Sequence, residues 1–445
     1  MRLTDRRADA RIGGTLAERH VGEDRRLLRR LLMQARGSNA ARASVAERRP
    51  PIAENQPLKI VMTVAYADER WGGHEIALCR ALAQRGHEVV LLTSTIAPPR
   101  YGRYRLPAGT LETSGFRIVR VPAGPVALEA PLLASMRRAL RMLDADIYHA
   151  HESFQPATLW TALACRRARR PFVLSQHATG SFGRGWASLL YRAHLHTWGR
   201  WILHQAARVI ALTPSAARSL DPFIPPEHVR IVSSGVDCWR FTPAGPGDHR
   251  LAGLERPVVL YAGRLARNKD VPTLVRALAL LEHGSLVIAG TGPEQEEVLD
   301  LCYQLLGARR YRFLGTIPHQ QMPPLYRSAD LFVLPSRVEP FGLVALEAMA
   351  CGTPAIAAAA EGPSSFLPQH LLFPPGDVQA LAARMLEVYA HLATERVHAR
   401  QHALGYAWER VAARVEDVYR SVLGDHGPGH LTCGLTRSDA DADAP

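Results

Sequence analysis

Short apolar runs recur along residues 58–424, and nearly every run is followed by a turn and then by a helical stretch. Runs of about four to seven residues with this composition predict buried strands. Because strands that alternate with helices form parallel sheets covered on both faces, the pattern predicts an α/β fold with two similar halves. The predicted strands are 58–64, 88–93, 116–121, 146–151, 172–177 and 209–213 in the first half, and 257–262, 286–289, 330–334 and 354–357 in the second.

Changes in composition mark the limits of these halves. A stretch rich in Gly, Pro and charged residues separates them and is typical of a linker. After the last predicted strand, two helical stretches run to about residue 424. The predicted organisation is a basic, partly disordered extension over 1–57, an N-terminal domain over 58–240, a linker over 241–256, a C-terminal domain over 257–405, a final helix over 406–424 and a disordered tail over 425–445.

The charge of the chain is strongly basic and unevenly distributed. Net charge is +13, and of the 54 Lys and Arg residues only Lys59 and Lys269 are Lys. Residues 1–50 hold 13 Arg and 6 acidic residues. Such an excess favours anionic partners, but no aromatic residue interleaves those arginines, which disfavours nucleic acid. Residues 16–35 could form an Arg-rich helix on an anionic membrane surface; the alternative is a solvated tail.

The cysteines and the N-terminus indicate the compartment. None of the six cysteines forms a Cys-x-x-Cys pair, so we expect reduced thiols rather than disulfides or zinc. The N-terminus lacks the apolar segment of a signal peptide. We therefore expect a cytoplasmic protein, whose extension could contact the inner face of the cell membrane. The apolar window 342–360 contains Glu347 and a Gly-Thr-Pro break, which favours a buried helix and strand over a membrane span.

The stretch with the strongest chemical signal follows the predicted strand 330–334. Glu339 lies in the loop at the end of that strand, and Glu347 lies on the helix that follows. Ligands bind at this edge of an open α/β sheet. If every intervening residue were helical, the carboxylates would be about 12 Å apart along the axis, which suits two hydroxyl-bearing groups of one ligand. Backbone N–H groups near Gly342 suit an anion between them, and a sugar–diphosphate–ribose has this shape.

A basic loop follows the first strand of the second half. Arg264 and Lys269 flank this predicted strand-to-helix loop. A guanidinium can hold a phosphate through its planar fork, and an ammonium supplies a point charge. Because the chain uses Arg almost everywhere, Lys269 indicates that the compact ammonium matters. The alternative is a solvated basic turn, and the Walker motif Gly-x4-Gly-Lys-Ser/Thr is absent.

Candidate ligand residues also occur in the first half. Gly72 and Gly73 occupy the turn after the first strand, where glycine lets a ligand approach the backbone. They do not form the Gly-x-Gly-x-x-Gly fingerprint, which disfavours a hydride-transfer enzyme. His177 ends a strand at the ligand edge, although a structural histidine is the alternative. His149 and His151 share one strand face, but no third ligand lies nearby in sequence, so we predict no metal site.

These motifs resemble those of the retaining GT-B glycosyltransferases of family 4, over roughly residues 58–424. The resemblance rests on Glu-x7-Glu behind Ser-x-x-Glu-x-Phe-Gly, on Gly-Gly-x-Glu near the start, and on Gly-Arg-Leu followed by Lys269. Ser-Gly-Val-Asp at 234–237 and Gly-Thr-Gly-Pro at 290–293 add to it. It implies the GT-B fold, in which two Rossmann-like domains face a central cleft and the last helix crosses back to brace the first domain.

The resemblance also implies an activity, namely transfer of a sugar from a nucleotide-diphosphate sugar to an acceptor hydroxyl with retention. This would belong to glycan, glycolipid or natural-product glycoside biosynthesis and would need no metal or other cofactor. Arg264 and Lys269 would hold the diphosphate, Glu347 the ribose and Glu339 the sugar. The candidate catalytic residues are Arg264, Lys269, Glu339 and His177, and the candidate donor-binding residues are Gly72, Gly73, Gly290, Gly292, Phe341, Gly342, Leu343 and Glu347.

Two departures and three alternatives accompany this interpretation. Ser234 replaces the Asn of the family pattern, and Glu361-Gly-Pro-Ser-Ser replaces Gly-Gly-x-x-Glu, which leaves one donor-side carboxylate unassigned. The alternatives are a phosphorylase with pyridoxal phosphate on Lys269, a sugar-nucleotide epimerase, and an inactive glycan-binding scaffold. The motifs do not identify the sugar, the nucleobase or the acceptor.

Overall fold

The computed structural model describes residues 56–69, 73–97, 104–113, 115–124, 126–127, 130–131, 134–177 and 186–425. The predictions for the extension before residue 56, for Gly72 and for the tail after residue 425 lie outside these ranges. Within them the chain forms two α/β units, each built on its own sheet.

The first sheet contains all six strands predicted for the first half. Eight strands lie in the order β10-β9-β8-β7-β1-β2-β4-β3, parallel except for β3, and β5 pairs with β6 alone. The predictions missed β3 and β10 because most of their residues are exposed, so no apolar run marks them. The strands are β1 (Lys59–Thr63), β2 (Glu88–Ser94), β3 (Gly109–Glu112), β4 (Arg117–Val121), β5 (Val126–Ala127), β6 (Ala130–Pro131), β7 (Ile147–His151), β8 (Phe172–Gln176), β9 (Arg208–Ala211) and β10 (Val229–Ile231).

Helices cover both faces of this sheet, as the buried strands predicted. Successive side chains of a strand point to opposite faces. Ile60 and Met62 of β1 share a core with α1, whereas Val61 between them shares a core with α3. The helices are α1 (His74–Gln84), α2 (Ala134–Leu140), α3 (Pro156–Ala168), α4 (Trp186–His196), α5 (Trp198–Gln205) and α6 (Pro214–Arg218).

The second sheet is entirely parallel, in the order β13-β12-β11-β14-β15-β16. Its strands β11, β12, β14 and β15 are buried along their whole length, which explains their continuous apolar runs. The strands are β11 (Val258–Ala262), β12 (Ser285–Ala289), β13 (Tyr311–Gly315), β14 (Leu331–Leu334), β15 (Ala355–Ala358) and β16 (Leu372–Phe373), and the helices between them are α7 (Val271–Ala279), α8 (Gln295–Leu306), α9 (Met322–Ser328) and α10 (Leu343–Ala350).

Three helices follow the second sheet, where the sequence pattern predicted two. They are α11 (Val378–Ala390), α12 (Leu392–Leu404) and α13 (Trp408–Asp425). The prediction missed the break at His391, because no Gly or Pro marks it. Helix α13 returns to the first unit, where Val415 and Tyr419 join the same apolar core as Ile60 and Met62.

No helix in the described ranges has the length and hydropathy needed to cross a bilayer. The apolar window 342–360 instead forms α10 and β15, as predicted. The cysteines of the described ranges are buried and free, at Cys79, Cys165, Cys238, Cys302 and Cys351.

Candidate active site

The loop between β14 and α10 carries the first predicted carboxylate. Gly342 begins α10 with a φ of 99°, a conformation that L side chains rarely adopt. A Cβ there would lie 3.0 Å from Leu334 Cδ2. Glycine therefore allows a sharp turn that brings Glu339 and the N-terminus of α10 to the carboxyl edge of the second sheet.

Two predicted catalytic residues contact each other directly. Lys269 Nζ lies 2.7 Å from Glu339 Oε2, and the two side chains are 22% and 11% exposed. Lys269 ends a short 3-10 helix after β11. Arg337 anchors this loop, because its Nε lies 2.7 Å from Asp270 Oδ2 and its N–H donates to the Asn268 carbonyl. An ammonium, a carboxylate and a helix N-terminus thus share one part of the sheet edge.

Arg264 lies in the same loop and is exposed. The predicted glycines of the neighbouring loop contact this loop rather than open space. A Cβ on Gly290 would lie 1.9 Å from the Gly263 carbonyl oxygen, and one on Gly292 would lie 2.1 Å from the Leu265 carbonyl oxygen. Real Cβ atoms cannot approach so closely, so these glycines let two backbones pack together.

Glu347 is held by two partners that sequence reasoning missed. His319 Nε2 lies 2.8 Å from its Oε1, and the Tyr326 hydroxyl donates to its Oε2 at 3.0 Å. Burial alone would lower the pKa of His319, but the hydrogen bond and charge of Glu347 outweigh it and raise that pKa. His319 follows the end of β13, and that position at the ligand edge was the available signal.

The remaining predicted residues of this loop differ in how they can act. The Phe341 ring is 5% exposed and stacks on Phe366 at 5.1 Å, so only its backbone can reach a ligand. Leu343 is partly buried and lines the cleft pocket. One carboxylate oxygen of Glu361 is buried without a hydrogen-bond partner, which makes this residue a further candidate that the motif comparison left unassigned.

The opposite wall of the site is rich in histidine. His177 follows β8, and its Nε2 lies 3.1 Å from His151 Nδ1. The His74 ring centroid lies 4.6 Å from that of His177. His74 follows Gly73, which has a φ of 132° and begins α1. Sequence spacing paired His149 with His151 but could not reveal that two distant histidines join them.

A pocket between the two units connects these walls. Residues of α1 and the 234–237 segment line one side, and residues of α10 and His319 line the other. The residues include Gly73, His74, Gly235, Asp237, His319, Leu343, Glu347 and Trp408. The pocket therefore lies in a cleft between the two sheets, with Gly73 on one side and Leu343 and Glu347 on the other.

Both units match known sequence families. Residues 74–240 match the family described as Glycosyltransferase Family 4, and residues 249–402 match Glycosyl transferases group 1. A D-inositol 3-phosphate glycosyltransferase 1 of Catenulispora acidiphila is 31% identical over 388 residues, which cover 78% of this chain and 90% of that protein. A glycogen synthase of Mycobacterium tuberculosis is 30% identical over 385 residues, which cover 78% and 90%.

Solved structures share the architecture. The sucrose-phosphate synthase of Thermosynechococcus elongatus has a TM-score of 0.64 and 24% identity, with 82% of this chain and 99% of that chain covered. The Anabaena protein HepE in complex with UDP and glucose has a TM-score of 0.66 and 21% identity, with 82% and 100% covered. The chain therefore belongs to glycosyltransferase family 4 and is a glycosyltransferase with the GT-B fold, in which two Rossmann-like domains face a central cleft.

Proposed function

We propose that the enzyme transfers a sugar from a nucleotide-diphosphate sugar to an acceptor hydroxyl with retention of the anomeric configuration. The observation that carries this proposal is the convergence of Lys269, Glu339 and the N-terminus of α10 at the carboxyl edge of the second sheet. The ammonium and the positive end of the helix dipole suit the negatively charged diphosphate, and the carboxylate suits the hydroxyls of the sugar.

The proposed mechanism is stabilisation of the leaving group. Breaking the anomeric bond places negative charge on the diphosphate. Arg264, Lys269 and the backbone amides at the start of α10 would stabilise that charge, with no metal ion at the diphosphate. The ion pair with Glu339 holds the Lys269 ammonium beside the loop proposed to receive the sugar.

Glu339 and Glu347 would bind the hydroxyl-bearing ends of the donor. A carboxylate offers about four lone-pair sites. Glu347 can therefore accept hydrogen bonds from His319 and Tyr326 and still accept from ribose hydroxyls. Glu339, with the backbone of 341–343, would bind the sugar.

The acceptor would enter from the wall formed by the first domain. His177 and the turn at Gly72-Gly73 would contact the reacting sugar from that side. A departing phosphate oxygen would take the proton of the acceptor hydroxyl, so no separate base is needed. Retention is tested by NMR of the anomeric proton in the first product formed; inversion would contradict it.

The relatives support a nucleotide-sugar donor without identifying it. HepE was solved in complex with UDP and glucose, so glucose nucleotides are the first donors to test. A panel of UDP-, GDP- and ADP-sugars is scored by thermal shift, because a ligand at about 100 times its Kd adds about 2.7 kcal/mol to native stability. We expect one nucleotide to raise Tm in the absence of divalent ions, and a shift that requires Mg²⁺ would contradict the metal-free diphosphate site.

Substitution tests the assignment of the basic loop. Arg264→Ala and Lys269→Ala are each expected to lower kcat/KM for transfer by about 100-fold or more, the size typical of losing one transition-state donor. Arg276→Ala removes an exposed charge from α7 and is the matched control, expected to change little. Unchanged transfer and donor hydrolysis in both site variants would refute the assignment.

We also propose that the basic extension over residues 1–57 attaches the enzyme to anionic membrane surfaces. The support is the basic charge of that segment alone. Vesicles containing phosphatidylserine should bind the full chain and not a chain lacking residues 1–57. Equal binding by both would refute the attachment.

A further inference from the structure

Four histidines form a buried cluster on the first-domain wall of the cleft. This histidine cluster consists of His74 at the start of α1, His149 and His151 on β7, and His177 after β8. The ring centroids of His149 and His151 are 4.5 Å apart, and those of His151 and His177 are 5.3 Å apart. Three separate segments of the chain thus bring imidazoles into contact, and the proposed diphosphate site uses none of them for charge stabilisation.

We propose that His74, His151 and His177 bind a divalent transition-metal ion of the zinc class. One ligand atom from each imidazole lies within 4.8 Å of the other two. Imidazole nitrogen suits Zn²⁺, whereas Mg²⁺ and Ca²⁺ prefer oxygen ligands. Three protein ligands leave a fourth tetrahedral position open, which is the composition of a site that takes water or a substrate oxygen.

The one nitrogen–nitrogen distance resolved for this set is close to that of a zinc site. Two nitrogens bound to one tetrahedral Zn²⁺ are separated by roughly 3.4 Å, given Zn–N bonds near 2.05 Å. His151 Nδ1 and His177 Nε2 are 3.1 Å apart. His74 Nδ1 lies 2.8 Å from Ser234 Oγ, which leaves its Nε2 for the ion. A ligating histidine usually bonds through its other nitrogen to a partner in this way.

The surroundings keep the imidazoles neutral, as metal binding requires. Burial lowers the pKa of His74 and of His151, and the neighbouring histidines lower both further. Burial also lowers the pKa of His177, while the nearby negative charge of Glu75 acts in the opposite direction. That carboxylate would attract a cation.

His149 completes the arrangement without being a ligand. Its Nδ1 lies 2.7 Å from the Tyr419 hydroxyl, and its Nε2 lies 2.7 Å from Ser175 Oγ. Both of its nitrogens therefore have partners. Its ring stacks on that of His151, with an angle of 25° between the ring planes. His149 thus packs against the ring of His151 and helps to fix its position.

One of the three proposed ligands lies at the cleft. His74 lines the pocket that Glu347 also lines, and His177 is partly exposed. An ion there would face the acceptor side and would bind water or an acceptor oxygen. The sequence-based prediction of no metal rested on the missing third ligand near His149 and His151, and the fold supplies it from α1 and β8.

Cobalt titration tests the site directly. The full chain, produced without a polyhistidine tag and stripped with a chelator, is titrated with Co²⁺. We expect one ion per chain with the strong visible absorption of tetrahedral Co²⁺, displaced by Zn²⁺, and a higher Tm for the loaded protein. His177→Asn should abolish the band.

Ser234→Ala should weaken Co²⁺ affinity by roughly 10–100-fold, because it removes the partner of a ligand. His283→Asn, which removes an exposed imidazole, is the matched control and should leave the band unchanged. Absence of the band in the unaltered chain, or a band that persists in a folded His177→Asn variant, overturns the proposal. Donor thermal shifts in the stripped protein show separately whether the diphosphate site is correct.

Discussion

Contacts between side chains fix the orientation of Glu347 before a ligand binds. Glu347 is 12% exposed and would lose hydration there, but His319 and Tyr326 replace that water with two hydrogen bonds. These bonds fix the carboxylate in one orientation. Because an ordered side chain loses less entropy on binding, the same contacts should increase the affinity of Glu347 for a diol.

Substitution of His319 tests this orientation. The folded pKa of His319 is raised, so its stabilising contribution is fully present below its ordinary pKa of 6.5 and is lost as pH rises through the folded value. His319→Gln should lower the free energy of unfolding by roughly 1–2 kcal/mol at pH 6 and by less at pH 9. Urea denaturation at both pH values measures this.

The matched control is His370→Gln, which removes an exposed histidine whose Nε2 lies 3.4 Å from Glu395. An exposed pair of this kind should contribute little at either pH. Equal losses for His319→Gln at pH 6 and pH 9 would show that its charge does not act on Glu347.

The sequence predicts single site residues, but it does not predict which of them contact each other. Glu339 and Lys269 were each predicted from their place at a strand end, yet their ion pair joins residues 70 positions apart. A single sequence carries no signal that pairs such positions. The same limit hid His319 as the partner of Glu347, and it hid the contact of His74 and His177 with His151.

Close packing between two backbone segments fixes the relative position of two loops of the site. The turn after β12 fits against the turn after β11 because Gly290 and Gly292 have no Cβ to separate them. Leu265 N–H donates to the Thr291 carbonyl across the same junction. The sequence predicts that these glycines bind the donor, which stays a prediction. Their lack of a Cβ also lets this turn pack against the loop that carries Arg264 and Lys269.

Gly290→Ala should therefore be severely destabilising. Its Cβ would overlap the Gly263 carbonyl, and its φ of 139° is unfavourable for alanine. We expect a loss of roughly 3–5 kcal/mol in unfolding free energy, measured by urea denaturation. Gly307→Ala is the control, since Gly307 has a positive φ of 66° but open space around it, and should cost about 1 kcal/mol. Similar losses in both would mean that close packing is not the cause.

The strands and helices themselves were largely predictable, for a clear physical reason. Buried parallel strands must be apolar throughout, so β11, β12, β14 and β15 stand out in the sequence. Edge strands such as β3 lack that requirement and were missed.

In the whole molecule, helix α13 follows the second domain and packs into the core of the first domain. Helix α13 completes the first-domain core, and Arg85 Nε bonds to Glu416 Oε2 at 2.7 Å. The apolar stripe of α13 shows that the helix packs somewhere, but only the resemblance to known enzymes indicated the first domain. Sequence pattern alone does not select between two similar sheets.

The Glu416→Gln substitution tests this contact through the pH dependence of the free energy of unfolding. Burial would raise the pKa of Glu416, but hydrogen bonds from Arg85 and Arg420 outweigh it and lower the pKa to about 2. Its contribution is therefore present above its ordinary pKa of 4.5 and is lost as pH falls towards 2. We expect the substitution to cost roughly 1–3 kcal/mol at pH 7 and progressively less below pH 4.5.

Circular dichroism during denaturation at several pH values measures that loss. Glu387→Gln, which removes a 60% exposed partner of Arg384, should change stability by less than about 0.5 kcal/mol. A pH-independent loss for Glu416→Gln would contradict the charge argument.

Because α13 follows the second domain, the ribosome synthesises the first domain well before the helix that completes its core. Strand β10 ends at Ile231, but the helix that covers part of the same sheet starts only at Trp408. At translation rates of about 5–20 residues per second, on the order of 10–40 s separate the two events. During that interval nascent chains expose apolar surface on Ile60 and Met62, so this enzyme should be a client of ribosome-associated chaperones until α13 has been synthesised.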